Sequence, residues 1–191
     1  MFRDMVADSR SYRSFDESKR ITKEELTELI ETARLVPSAV NRQPLKYRFV
    51  YEKTECEEFL SLTKWAGLLK DIKLPPDNHH PAAFIVMCLD TDVCAMSELV
   101  SFDAGIAAQT IMLQACELGY GGCIIGAFDK EKAAEMLSLS KKSTPIVALA
   151  LGVPDETVFI CNTNNSSTAY FRDSAGVHFV PKRSADELII D

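Results

Sequence analysis

Paired cysteines, an excess of positive charge and long apolar runs are what this chain of 191 residues has little of. Its six cysteines stand at 56, 88, 94, 116, 123 and 161, and none forms a CxxC pair. Such scatter at this length argues against a disulfide framework, and Cys88 inside AFIVMCL reads as the buried free thiol of a cytoplasmic protein. Lys and Arg number 21 against 28 Asp and Glu, a net charge of −7. The broad positive field that nucleic acid or an anionic membrane surface requires is therefore missing, and any anion site has to be local. No run reads as the ~20 apolar residues of a spanning helix. The first ten residues, MFRDMVADSR, carry no apolar leader stretch. The expectation is a cytoplasmic protein with neither nucleic-acid nor membrane partners.

Catalytic signatures are sparse too. Of three histidines, His79 and His80 are neighbours and point differently from a loop, with no carboxylate or cysteine at ligand spacing. Neither a metal site nor a nucleophilic triad is expected. GYGGCIIG (119–126) is rich in glycine, yet a helical pattern precedes it and no Gly-Lys-Ser/Thr follows. It is neither a dinucleotide fingerprint nor a P-loop, and its glycines read as points of close backbone approach.

What is present is a clear alternation of elements. Thr22 to Glu25 form a capping box, and Leu26, Leu29, Ile30 and Ala33 recur at helical spacing, so a helix is expected over 22–35. KYRFVY (46–51) and AFIVMCL (83–89) read as strands, the second apolar on both faces and so central in a sheet. Residues 54–70 read as a helix and 73–81 as a loop. The stretch 97–118 reads as the longest helix, apolar nearly all round and rich in small residues, packed in the core or at a subunit interface. A short strand in 119–129, a helix at 130–138 capped by Asp129 and a buried strand at 145–153 follow. Residues 161–175 are polar and irregular, and Leu188-Ile189-Ile190 suggests docking onto a partner subunit. This order gives one domain over 1–191, an α+β or α/β sandwich with helices around a mixed sheet.

Two stretches suit ligand chemistry. Arg10-Ser11-Tyr12-Arg13 sets guanidinium donors and a hydroxyl close together, which matches a phosphate monoester. PSAVNRQP (37–44) presents Ser38, Asn41 and Gln43 between two prolines, a rigid frame able to hydrogen-bond a flat heterocycle. A solvated surface and a plain connecting loop are the structural alternatives for each alone.

Taken in order, these elements resemble the FMN-dependent nitroreductase/flavin reductase superfamily. The match runs through an RSxRxF element at 10–15, a PSxxNxQP loop at 37–44, a DxGxAxQ helix from Asp103 to Gln109, the turn GYGGCIIGAFD, and a basic pair, Lys182-Arg183, before an acidic-apolar end. The resemblance implies the α+β three-layer sandwich of that family, with a mostly antiparallel sheet flanked by helices, as an intertwined homodimer exchanging C-terminal segments. It implies FMN as cofactor and NADH or NADPH as electron donor, with hydride passing through flavin N5 to a small-molecule acceptor such as a nitroaromatic or quinone.

By the same resemblance Arg10, Ser11 and Arg13 hold the phosphate and ribityl chain, completed by Lys182 or Arg183. Pro37, Ser38, Ala39 and Asn41 reach the ring from the other subunit. The backbone of Ile125 and Gly126 faces N5 and O4, where fixed donors stabilise the charge of the reduced ring. No side chain is implied as catalytic. Ser9 replaces a basic residue of many relatives, Ala39 a serine and Leu45 an aromatic. Two other readings stay open: a specialised enoate reductase, dehalogenase or flavin-degrading enzyme whose lid includes Trp65, Leu69 and the 72–81 loop with His79 or His80 as proton donor, and a flavin-binding sensor or scavenger without turnover.

Overall fold

The computed structural model describes residues 1–163 and 167–190. In chain order the elements are α1 (Phe2–Asp8), α2 (Lys23–Ala33), β1 (Leu45–Val50), α3 (Lys53–Ser61), β2 (Ala83–Asp90), α4 (Glu98–Glu117), β3 (Gly121–Ile125), α5 (Lys130–Met136), β4 (Ser143–Gly152), β5 (Val158–Asn162), β6 (Phe171–Arg172) and β7 (His178–Lys182). Two caps are those the sequence announces: Thr22 accepts from the Glu25 amide and Glu25 reaches back, and Asp129 caps α5; Ser97 caps α4.

β1, β2, β4 and β3 form an antiparallel sheet in that order, so β2 and β4 are its inner strands. Every residue of β2 is buried. Its side chains alternate between two apolar layers. Ile85 and Met87, with Leu149 and Leu151 of β4, pack with α2 and α4 through Leu26, Leu29, Ala107 and Ile111. Phe84 and Val86, with Ala148 and Ala150, pack on the other face with Phe59 of α3 and Ala133 of α5. Each fully buried side chain of this size contributes roughly 1.5–3 kcal/mol. The result is an α+β sandwich of three layers.

α4 runs on the α2 side of this sheet, and small residues at 104, 107, 108 and 115 let it pack closely. It is long and apolar enough to cross a bilayer, at mean hydropathy 1.3, which the sequence reading had not anticipated. Here it serves as a core helix, with eight residues buried, Asp103 among them.

Three regions depart from the sequence expectation. α1 was not foreseen. It buries no residue and packs only its side against α4. The helix expected to 70 ends at Ser61, because the chain then pairs with the stretch before α5. Thr63 bridges Phe128, and the Lys64 amide donates to Ala127 (2.9 Å). A second sheet, β5-β7-β6, with β5 parallel and β6 antiparallel to β7, was not foreseen; the end of β5 and all of β6 fall in the 161–175 stretch expected to be irregular.

Candidate functional site

Residues 9–15 leave α1 and lie along the outer edge of β3. Ser11 bridges Gly122, and the Tyr12 amide donates to the Gly122 carbonyl (2.9 Å). The glycines are there for close approach. A Cβ on Gly121 would stand 2.5 Å from both Tyr12 and Pro154, one on Gly122 2.0 Å from the Ala150 carbonyl, and one on Gly152 2.8 Å from Phe15. Phe15, fully buried, anchors the end of the segment, and its amide donates to His79 (3.1 Å).

This placement opens a cleft of about 160 Å³ beside Arg10, lined also by Ser9, Ser11, Gln109, Gly122 and Ile124. Arg10 donates through Nη2 to the Val6 carbonyl (2.5 Å), while its Nε is buried and has no partner among the described residues. Ile124 also lines a second, apolar cleft of about 250 Å³ formed with Ala104, Gly105, Ala108, Ile146 and Val147. Two clefts along α4 and β3, one cationic and hydroxyl-bearing and one apolar, thus share Ile124 in their walls.

Arg13, expected to share the phosphate with Arg10, is turned inward and does not line the Arg10 cleft. It is 8% exposed. Its Nη1 donates to the Ser11 carbonyl and meets His178 Nε2, both at 3.1 Å, and its guanidinium lies 5.2 Å from the Tyr170 ring centre. Its backbone N–H donates to Glu156, which also pairs with Arg172. The interior supplies this guanidinium with an acceptor, an aromatic face and a carboxylate on its backbone, so it turns there. Burial and the neighbouring Arg13 and Arg172 hold the His178 imidazole down at about 4. Glu156, Tyr170, Arg172 and His178 escaped the sequence reading. The aromatic-flanked basic residues of the tail were the available signal, but Arg13, on which Glu156 and His178 converge, lies more than a hundred residues away.

The proline loop is built around Asp103 of α4. This buried carboxylate accepts from the Ser38 hydroxyl (2.6 Å) and the Ala39 amide (2.9 Å), and Ser38 Oγ accepts from the Gln43 amide (3.0 Å). Gln43 Nε2 donates to Asn41 Oδ1 (3.0 Å). Val40, Asn41 and Gln43 have φ of 48°, 53° and 52°, in the left-handed region. Such conformations cost about 1–3 kcal/mol each and persist where the surroundings over-determine them. Asp103 is the group that does so here. Pro37 and Ser38 line a separate cleft of about 180 Å³ with Gln43, Tyr47 and Asp103.

The other expected residues are dispersed. Ile125 is buried at the end of β3, paired with Ala148, and Gly126 beyond it is exposed with open space at its Cα. Lys182 ends β7 and Arg183 follows it. Both are exposed, and neither lines the Arg10 cleft. His79 pairs with Asp155 (2.8 Å) and accepts from the Phe15 amide through its carbonyl, and His80 pairs with Glu17 (3.2 Å), so both fasten the N-terminal segment to its surroundings. All six cysteines are free, and burial pushes the Cys56 and Cys88 thiols up to about 11.

The family model described as the nitroreductase family matches residues 6–153, a span that includes the Arg10 cleft, the proline loop and β3. The chain belongs to the nitroreductase family. Among the relatives of this nitroreductase chain is an oxygen-insensitive NADPH nitroreductase of Helicobacter acinonychis, 26% identical over 178 residues that cover 78% of this chain and 85% of that protein. A nitroreductase family protein of Streptococcus pneumoniae TIGR4 has the same fold, with a TM-score of 0.71 at 21% identity and full coverage of both chains. A structure from Exiguobacterium sibiricum 255-15, solved in complex with FMN, gives a TM-score of 0.67 at 21% identity, covering 82% of this chain and 89% of that one.

Proposed function

We propose that residues 1–191 act as one FMN-binding domain of a homodimeric oxidoreductase, which takes hydride from NADH or NADPH and delivers it to a small-molecule acceptor such as a nitroaromatic or quinone. The carrying observation is the pair of adjoining clefts. A phosphate monoester with a flat ring system needs donors at one end and an apolar wall at the other. Arg10 and Ser11 line the one cleft, the apolar cleft adjoins it, and Ile124 lines both. The partnerless buried Nε of Arg10 is a donor in want of an acceptor. The residues present therefore fit FMN, and the similarity to an NADPH nitroreductase and to a protein solved with FMN supports the reading.

In this reading Arg10 and Ser11 hold the phosphate, and Lys182 or Arg183 joins them from the C-terminal segment of the second subunit. FMN supplies the capacity to accept and pass on hydride when bound. The chain itself orients and shields. The loop of Pro37, Ser38, Ala39 and Asn41, kept in shape by Asp103, closes on the ring of the other subunit, and the backbone about Ile125 and Gly126 borders it. Either cleft alone is smaller than the ~300–1,000 Å³ of ordinary small-molecule sites, which supports a site completed by a second copy. α4 carries the matching apolar surface in Leu99, Phe102 and Ile106, exposed by 50%, 62% and 42%. The test is steady-state oxidation of NADH or NADPH with a quinone or nitroaromatic. Turnover that requires FMN and is lost in Arg10→Ala supports the proposal, and absence of FMN-dependent turnover refutes it.

A further inference from the structure

Arg13 and its partners form a second cluster, which the flavin reading does not use. Four residues of the C-terminal third, Glu156, Tyr170, Arg172 and His178, converge on the N-terminal stretch Ser11–Arg13. The hydrogen bonding has a definite sense. Arginine can only donate, so His178 Nε2 accepts from Arg13, and the imidazole is the neutral tautomer with its proton on Nδ1. His178 is 1% exposed and Glu156 side-chain exposure is 4%, so neither touches a ligand in the groove. Their influence runs through Arg13, whose Nη1 also holds the Ser11 carbonyl. Ser11 lines the Arg10 cleft and bridges β3 at Gly122. Tyr170 adds a further link: its ring covers Arg13, and its hydroxyl accepts from the Leu68 amide (3.3 Å) in the loop after α3.

We propose that His178 and Tyr170 are positioning residues, which brace Arg13 so that the Ser11 backbone presents the anion end of the groove in a fixed geometry. The proposal rests on the flavin reading for its ligand, although the brace itself is a property of the free chain. Removing the His178 acceptor leaves a buried guanidinium N–H unsatisfied and frees the Arg13 side chain to leave Ser11.

The test is FMN titration by quenching of flavin fluorescence, together with amide hydrogen exchange at Tyr12 in the FMN-free protein. His178→Ala is expected to weaken FMN binding about tenfold and to speed exchange at Tyr12, whose amide is bonded to Gly122. His178→Gln restores an acceptor for Arg13, and both readouts return to within about twofold of the unmodified protein. Should His178→Ala not fold, the partly exposed Tyr170 serves. Tyr170→Leu weakens FMN binding about threefold by removing the ring over the guanidinium, and Tyr170→Phe does not. Arg10→Ala, which loses FMN affinity without altering Tyr12 exchange, reports on the flavin reading alone. FMN affinity and Tyr12 exchange unchanged in His178→Ala, alongside weakened binding in Arg10→Ala, overturn the brace. If the unmodified protein binds no FMN, the flavin reading fails. Tyr12 exchange then decides the brace: faster exchange in His178→Ala supports it, and unchanged exchange overturns it.

Discussion

At the scale of residues, close backbone approach and buried polar pairing decide which positions tolerate change. Gly122 faces the Ala150 carbonyl at a distance no Cβ can share. Gly122→Ala must move β3 or β4, and is expected to destabilise the protein by about 3 kcal/mol, read from the midpoint of urea unfolding. Gly126→Ala, with open space where the Cβ would stand, should stay within about 0.5 kcal/mol. His178 gives the residue-scale pH dependence. Its folded value is lowered to about 4 from an ordinary 6.5, by burial first and then by Arg13 and Arg172. Between those values the unfolded chain binds more protons than the folded one. The stability due to the neutral ring is present above pH 6.5 and is lost as pH falls toward 4, by up to about 3 kcal/mol. Urea unfolding across that window checks this, and His178→Gln should remove the corresponding part of the slope. Arg13, Arg172 and Tyr170 face the ring, and Glu156 pairs with Arg172 behind it.

At the scale of elements, local signals carried far where an element's own residues decide its structure. The capping box at Thr22 and the apolar stripe that follows it specify α2, and Thr22→Ala should cost about 1 kcal/mol in unfolding free energy. The all-apolar β2 and the small-residue helix α4 declare their burial in the same way. Legibility ended where partners are distant. β5 and β7 pair in parallel across residues 158–182, and Pro181 interrupts the pattern by which β7 could have been recognised. α3 was read too long because its successor's partner, the 127–129 stretch, lies some sixty residues away. The site divides along the same line. Arg10, Ser11 and the proline loop stand in readable strings, whereas Asp103 as the loop's anchor and His178 as Arg13's partner exist only through folding. That is also why Arg13 was expected beside Arg10: the RSYR string shows its neighbours in sequence and hides Glu156 and His178.

At the scale of the whole molecule, the exposed apolar face of α4 and the small size of each cleft belong together. A second subunit would cover the one and complete the other. Phe102→Glu places a charge in the middle of that face, so on the proposed dimer sedimentation should show a monomer for the variant and a dimer for the unmodified protein. FMN affinity should fall with it, since the Pro37–Asn41 loop then has no second site to close. A Phe102→Glu protein that stays dimeric would show that another surface joins the subunits.

The central claim is that the groove beside Arg10 makes this nitroreductase family chain a flavin enzyme reduced by a nicotinamide. The most direct measurement is the visible spectrum of the purified protein, loaded with FMN and freed of excess by gel filtration, before and after anaerobic addition of NADH or NADPH. Flavin absorbance that stays with the protein and bleaches with at least one donor is the predicted result. Flavin that elutes apart from the protein, or remains oxidised with both donors, would contradict it.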